Sequence, residues 1–249
     1  MPTLYRDPSI LLASIENWLA EQLRSAGDKG GIVGLSGGID SAVVAAILKR
    51  VCGNRMLAVI MPCHSHPEDR LHAAMVAAHL QIPHLTVDLT ETYDSLISAL
   101  GEGEGSRMAQ ANLKPRLRMS TLYFLAQTRN MLVCGTGNKV ELTVGYFTKY
   151  GDSGVDLLPL GDLLKGEVRQ LAGLLEVPAP IIDKPPSAGL WEGQTDEGEM
   201  GVTYDELDRF LALGEGSDKV RNFVEQSRAR SEHKRRTPPI CRISETKQA

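Results

Sequence analysis

Ser36, Gly37, Gly38, Asp40 and Ser41 stand together in the stretch 31–42, GIVGLSGGIDSA, and their types suit the handling of an anion. Two adjacent glycines let a ligand approach the backbone closely, and two hydroxyls can donate to its oxygens. Residues 32–35 are a short apolar β-rich run, and the chain from Asp40 to Ala46 opens a helix. A strand, a tight glycine turn and a helix, in that order, present bare N–H groups and the positive end of a helix dipole to a phosphate. A Walker-type loop carries a lysine immediately before its Ser/Thr; here that position is Asp40. A carboxylate facing a polyphosphate repels it unless a divalent cation lies between them, so Asp40 predicts Mg²⁺. The plain alternative is an ordinary glycine turn with Asp40 favouring a helix N-terminus.

A second strand-to-helix turn follows 131–135, MLVCG, and carries Thr136, Gly137, Asn138, Lys139 and Glu141. Thr136 can contact a nucleotide, and Glu141 can supply a second carboxylate to a metal. GTGNKVE lacks the third glycine of a dinucleotide fingerprint, so NAD as a hydride cofactor is not supported. Residues 145–165, GYFTKYGDSGVDLLPLGDLLK, read as an ordered loop anchored by Leu157, Leu158, Leu160, Leu163 and Leu164. It holds Lys149, Asp152, Asp156 and Lys165, any one of which loop solubility alone would explain. Two basic clusters, Lys114 with Arg116, Arg118 and Arg129, and His233 with Lys234 to Arg236, are either ligand contacts or a solvated face and a helix end. Cys63, beside His64 and His66, is the one cysteine with metal-like neighbours, but no complementary pair completes a zinc set.

Elements must bring these residues together. Helix 8–26 carries Leu11, Ile15, Trp18, Leu19 and Leu23 on one stripe; helix 40–51, strand 55–61, helix 67–80, strand 84–89 and a helix to Leu100 follow. GEGEG at 101–105 is a break, after which come helix 110–128, the strand at 131 and helix 165–175. Residues 184–201, rich in Gly, Pro and acid around Trp191, read as unstructured chain, with 190–201 as a lid loop. Helices 203–213 and 217–236 close the chain. Strands alternating with amphipathic helices predict an α/β fold, a parallel sheet with helices on both faces that binds ligand at the carboxyl ends of its strands.

With 249 residues the chain can build its core without disulfides, and its four cysteines show no C-x-x-C spacing. A net charge of −4 argues against general nucleic-acid binding. No apolar run reaches a membrane span and the N-terminus lacks a signal-peptide pattern, so a cytoplasmic protein is expected.

The string SGGIDS resembles the pyrophosphate loop of the ATP pyrophosphatases, which split ATP between its α and β phosphates. Over 31–234 the chain resembles the NAD synthetases, of the short ammonia-using type, through GLSGGIDSA, NLKPRLRM, GTGNKVE, the 145–165 stretch, PPSAGLWEGQTDE and HKR in that order. The resemblance implies a Rossmann-like doubly wound sheet with a C-terminal helical extension, in one synthetase domain over 1–249 without a glutaminase domain. It implies that deamido-NAD, ATP and ammonia give NAD, AMP and pyrophosphate through a deamido-NAD adenylate. It places Gly34, Leu35, Ser36, Gly37, Gly38, Ile39, Asp40, Ser41, Thr136, Lys165 and Ser187 on ATP, and Asp40 and Glu141 on Mg²⁺. Arg116, Lys149, Asp156, His233 and Lys234 fall on deamido-NAD, and Asp152 where ammonium is received, with Asp152 and Lys165 as the catalytic pair. Members are homodimers with the dinucleotide near the subunit interface. Two other functions share the loop: an RNA sulfur-inserting enzyme, which should add paired catalytic cysteines or a basic RNA-binding region, and a non-catalytic adenine-nucleotide sensor, which has no reason to keep Asp40, Glu141 and Lys165 together.

Overall fold

The computed structural model describes residues 3–27, 29–101, 105–187, 193 and 195–243. In chain order the elements are α1 (Pro8–Ser25), β1 (Gly30–Gly34), α2 (Ile39–Cys52), β2 (Met56–Ile60), α3 (Pro67–His79), β3 (His84–Thr86), α4 (Thr90–Leu100), α5 (Arg107–Ala111), α6 (Leu113–Arg129) and β4 (Met131–Val133). They continue with α7 (Lys139–Val144), α8 (Lys165–Leu174), α9 (Ala179–Ile182), α10 (Asp196–Met200), α11 (Tyr204–Leu213) and α12 (Asp218–Arg235). The four strands are all parallel in the order β3-β2-β1-β4. The chain runs outward from β1 to β3 and then returns to the other side of β1. The strand order therefore reverses between β1 and β4, and open parallel sheets bind ligands at the carboxyl ends of their strands at such a point.

β2, MLAVI, is buried throughout, and its side chains sort by the two-residue period of a strand. Met56, Ala58 and Ile60 pack with α1, α2, α3 and α8, while Leu57 and Val59 pack with α4 and α6 on the opposite face. Gly31 lets α2 lie close on β1, since a Cβ there would come 2.3 Å from a Leu48 methyl carbon. A third cluster, Val140, Val144, Tyr204, Leu207, Val220 and Val224, ties α7, α11 and α12 into the C-terminal extension.

Four expectations change. The helix expected over 110–128 is two, α5 and α6, meeting at Asn112; Pro115 falls in the first turn of α6, where a missing N–H is tolerated. Trp18 is 38% exposed rather than on the buried stripe, which runs through Leu11, Leu12, Ile15, Leu19 and Leu23. Lys114 and Arg118 are not a solvated face: Lys114 is buried near the Tyr93 ring, and Arg118 donates to Met61 O at 3.1 Å and Ser65 Oγ at 3.2 Å. Residues 196–200 of the expected lid loop are helical, capped by Thr195, while Trp191 and the rest of 188–192 and 194 lie outside the described residues.

Among the described residues no helix is long and apolar enough to cross a membrane, and no group of three or more His, Cys, Asp and Glu could hold a metal by itself. Cys63 is buried and His64 bonds Asp94 at 2.7 Å, so the zinc alternative gains nothing.

Candidate active site

The turn after β1 is built by its own small side chains. Gly37 has φ +84°, and a Cβ there would meet Asp69 O at 2.4 Å, so both the conformation and the space require glycine. Ser41 Oγ accepts from Ser36 N at 3.2 Å, donates to Gly38 O at 2.9 Å and lies 3.0 Å from Ser36 Oγ, and Ser36 Oγ accepts from Gly38 N at 3.2 Å. Gly38 is the N-cap of α2 and gives no side-chain cap. The first N–H groups of a helix have no intrahelical partner, so these remain for an anion. Gly34, Leu35 and Ile39 supply the frame: Leu35 N donates to Val59 O at 2.9 Å, and Ile39 is buried.

Across the strand-order reversal the loop after β4 answers it. Asn138 caps α7 in a reciprocal box with Glu141: Asn138 Oδ1 accepts from Glu141 N, and Glu141 Oε2 from Asn138 N, both at 3.1 Å. That leaves Glu141 Oε1 facing the cleft, and it leaves Asn138 Nδ2 to donate to Asp40 Oδ1 at 3.1 Å. Thr136, half-buried, stands between β4 and this cap.

Lys165, the first residue of α8, closes the group. Its Nζ donates to Asp40 Oδ2 and lies 3.9 Å from Glu141 Oε1 and 4.9 Å from the centre of the Tyr204 ring. Its side chain is 2% exposed. Burial opposes the ammonium, yet Asp40 and then Glu141 outweigh it and hold Lys165 above its ordinary value. Glu141 is pushed up, first by burial and next by the charge of Asp40. The placement of Lys165 is fixed from behind: Asp208 accepts from Lys165 N at 3.0 Å and Gly166 N at 2.7 Å, and Arg6 clamps Glu167 in the next turn.

A second cluster forms where 145–154 folds against α6 and α12. Asp152 Oδ1 accepts from Thr148 N at 2.8 Å, and Thr148 Oγ1 donates to Asn112 Oδ1 at 2.7 Å. Asp152 is exposed at the surface, yet the protein packed around its carboxyl removes enough water to raise it, against the pull of Thr148 N–H and Lys234. Lys234 donates to Gly145 O and Phe147 O, each at 2.8 Å, and burial lowers it against the charge of Asp152. Arg118 lies between the clusters, bonded at the tip of β2 and feeling both Asp152 and Asp69.

The structure thus unites Asp40, Glu141 and Lys165, and separately Asp152 with Lys234. Arg116 reaches the second cluster only through Lys149 O at 3.4 Å, and Lys149 lies over the Tyr150 ring. Asp156 is engaged elsewhere, accepting from Val133 N at 2.8 Å and Tyr123 OH at 3.1 Å. His233 and Ser187 are exposed.

Sequence reasoning passed over Asp208 and Tyr204, and named Asn138 and Arg118 without giving either a specific role. The Asn138-x-x-Glu141 spacing was a readable capping box. Nothing local marked Tyr204, which is 0% exposed and donates to Asp196 Oδ2 at 3.0 Å and Glu141 Oε1 at 3.4 Å.

The residues fit a divalent cation. Two carboxylates from the first turns of α2 and α7 converge on one cation position, now held by the Lys165 ammonium, beside the glycine turn. One or two carboxylates plus substrate phosphates are the usual ligand set for Mg²⁺.

Comparison with known proteins gives a consistent set. A family model described as NAD synthase matches residues 11–248. The chain is 52% identical to the NH(3)-dependent NAD(+) synthetase of Carboxydothermus hydrogenoformans over 227 residues, covering 90% of this chain and 93% of that one. It is 50% identical to the protein of the same name from Archaeoglobus fulgidus, covering 88% and 91%. Among solved structures it resembles NMN synthetase from Francisella tularensis, with TM-score 0.92, 38% identity and coverage of 96% and 100%. It also resembles NH3-dependent NAD synthetase from Campylobacter jejuni, with TM-score 0.79, 27% identity and coverage of 96% and 100%.

Proposed function

From the premise that the chain belongs to the NAD synthase family, ATP-using ligases of NAD biosynthesis, we propose that it amidates deamido-NAD with ammonia through a deamido-NAD adenylate. The observation that carries the reading is the convergence of Asp40, Glu141 and Lys165 beside the glycine turn. A sensor needs no such cluster, and an RNA sulfur-inserting enzyme has no use for Asp152 and Lys234 without catalytic cysteines.

A carboxylate is a poor acyl donor because its oxygen leaves badly. In the first step a nicotinate carboxylate oxygen attacks the α-phosphorus of ATP, the bond to the bridging oxygen breaks, and pyrophosphate departs. The turn N–H groups, with Ser36 and Ser41, bind the departing diphosphate, and Lys165 balances charge developing on it. Asp40 and Glu141 would hold Mg²⁺, which supplies charge neutralisation to the phosphates when bound. Ammonium then loses a proton to Asp152, whose raised carboxyl suits a base. Ammonia attacks the carbonyl, the adduct sheds a second proton, and AMP leaves. Thr136 and Ser187 complete the ATP contacts in this reading. Arg116, Lys149, Asp156, His233 and Lys234 line the dinucleotide's path in the same reading.

A homodimer is part of the same proposal. Leu100, Met108 and Phe124, on α4 to α6, are 63%, 44% and 71% exposed, an apolar set suited to a second copy.

The likeness to the Francisella tularensis protein favours one second reading, with nicotinate mononucleotide as acceptor. Comparing kcat/KM for the two acceptors, with ATP, Mg²⁺ and ammonium, tests both. A preference for deamido-NAD supports the first reading, a preference for the mononucleotide the second, and amidation of neither overturns both.

A further inference from the structure

The glycine turn has a second lysine near it, bonded to residues of α3 that pack on the turn. Asp69 O and His72 Cβ would lie 2.4 Å and 3.0 Å from a Cβ at Gly37, so the first turns of α3 rest directly on the turn. Lys184 Nζ donates to Asp69 Oδ1 at 2.6 Å and lies 3.4 Å from His72 Nδ1. The Lys184 ammonium is therefore held at the rim of the anion turn by two residues that touch the turn themselves.

Charge needs on the turn make this placement informative. A polyphosphate loop of Walker type carries its own lysine to the outer phosphates, and here that position is Asp40. Lys165 is taken up by Asp40 and Glu141, on the metal side of the turn. With Lys165 shared between these carboxylates and the departing diphosphate, a second protein cation at the turn adds charge that Lys165 alone does not supply. Lys184 and Asp69 are 25% and 24% exposed, so neither charge is locked in a dry interior. A partly solvated pair of this kind contributes little, and a charge-assisted bond to phosphate outweighs it. A flexible four-carbon stem with three rotatable donors allows the exchange.

We propose that Lys184 is a phosphate-binding residue that exchanges Asp69 for the outer phosphates of ATP, and then holds the leaving pyrophosphate, with Asp69 and His72 as its resting partners. The proposal rests on the reading that this turn binds ATP.

The test measures KM for ATP, competitive inhibition by pyrophosphate and KM for deamido-NAD in the full chain and in Lys184→Gln and Asp69→Asn. Lys184→Gln is expected to weaken ATP and pyrophosphate by about ten- to a hundredfold, the loss of one charge-assisted bond, with KM for deamido-NAD within about twofold. Asp69→Asn frees the ammonium and is expected to leave pyrophosphate inhibition as strong or stronger. If Lys184 is only a strut between 183–187 and α3, both variants weaken ATP alike, and that result overturns the proposal. Unchanged pyrophosphate inhibition in Lys184→Gln overturns it as well. Direct titration with magnesium pyrophosphate keeps the two failures apart. Wild-type chain that binds pyrophosphate but does not turn over refutes the synthetase reading, while the Lys184 comparison still gives its own answer.

Discussion

Asn138 Nδ2, on the loop after β4, donates to Asp40 Oδ1, on the turn after β1, at 3.1 Å. Two loops that are 98 residues apart in sequence thus share one hydrogen bond at the point where the strand order reverses. The same Asn138 caps α7 and so positions Glu141, which makes it the link between the glycine turn and the second carboxylate.

Replacing it should damage both tasks. Asn138→Ala is expected to cost about 1 kcal/mol through the lost cap and to raise the Mg²⁺ concentration needed for half-maximal rate. Thermal unfolding and a Mg²⁺ titration of the rate read the two effects. A variant that lost stability with an unchanged Mg²⁺ requirement would reduce Asn138 to a helix cap.

Tyr204 acts on the same carboxylate from the other side. Its hydroxyl joins Glu141 to Asp196 in α10, within the expected lid segment, so Tyr204→Phe removes the donor and keeps the ring beside Lys165. The expected result is a roughly tenfold higher Mg²⁺ concentration for half-maximal rate, typical of losing a group that orients a metal ligand, with KM for ammonium unmoved. A rate indifferent to Mg²⁺ in the same range would deny Tyr204 that role.

For Asp152 the ammonium dependence is the readout. Asp152→Asn should raise KM for ammonium about tenfold or more and leave KM for ATP near its starting value. The base form is lost as pH falls, so the wild-type rate should drop on the acid side of the raised carboxyl. The variant, without a base to deprotonate ammonium, should instead rise with pH as free ammonia does. Parallel pH profiles in the two proteins would remove the base from the mechanism.

Arg6 supports Lys165 at a distance, and its effect belongs to stability. Burial alone would raise Glu167, but hydrogen bonds from Arg6, Leu164 N and Arg6 N hold it below its ordinary 4.5. A depressed carboxyl stabilises the fold above the unfolded value, and that contribution disappears as pH falls through the folded one. Arg6→Ala is expected to cost on the order of 2 kcal/mol near neutrality and to flatten the acid limb of stability against pH. An acid limb identical in both proteins would show that the pair carries no linkage.

Much of this was readable in the chain because it depended on short-range pattern. The glycine turn, the β1-to-α2 step and the carboxylates Asp40 and Glu141 beside it follow from residue types at fixed spacing, and the alternation of strands and helices predicted the sheet. What escaped depended on contacts between distant segments. Tyr204 is an unremarkable aromatic in an amphipathic helix until α11 packs on α7, and Asp208 becomes a cap for α8 only across a sequence separation of 43. For Lys114 and Arg118 the sequence left a solvated face and ligand contacts both open, because charge in a helix is usually solvated. Here Lys114 is buried near Tyr93 and Arg118 bonds Met61 O and Ser65 Oγ. The break at Asn112 was hidden by helix-forming residues on both sides; its side chain accepts from Thr148 Oγ1 across the chain. The 196–200 turn was masked by the Gly and acid content of its surroundings.

The account's central claim is that a carboxylate oxygen of the acceptor attacks the α-phosphorus of ATP held at the Asp40 turn. The most direct measurement follows ¹⁸O from a labelled nicotinate carboxylate of deamido-NAD through one turnover with ATP, Mg²⁺ and ammonium. The account predicts one labelled oxygen in the phosphate of AMP and none in pyrophosphate. Label absent from AMP, or ADP and phosphate in place of AMP and pyrophosphate, would contradict it.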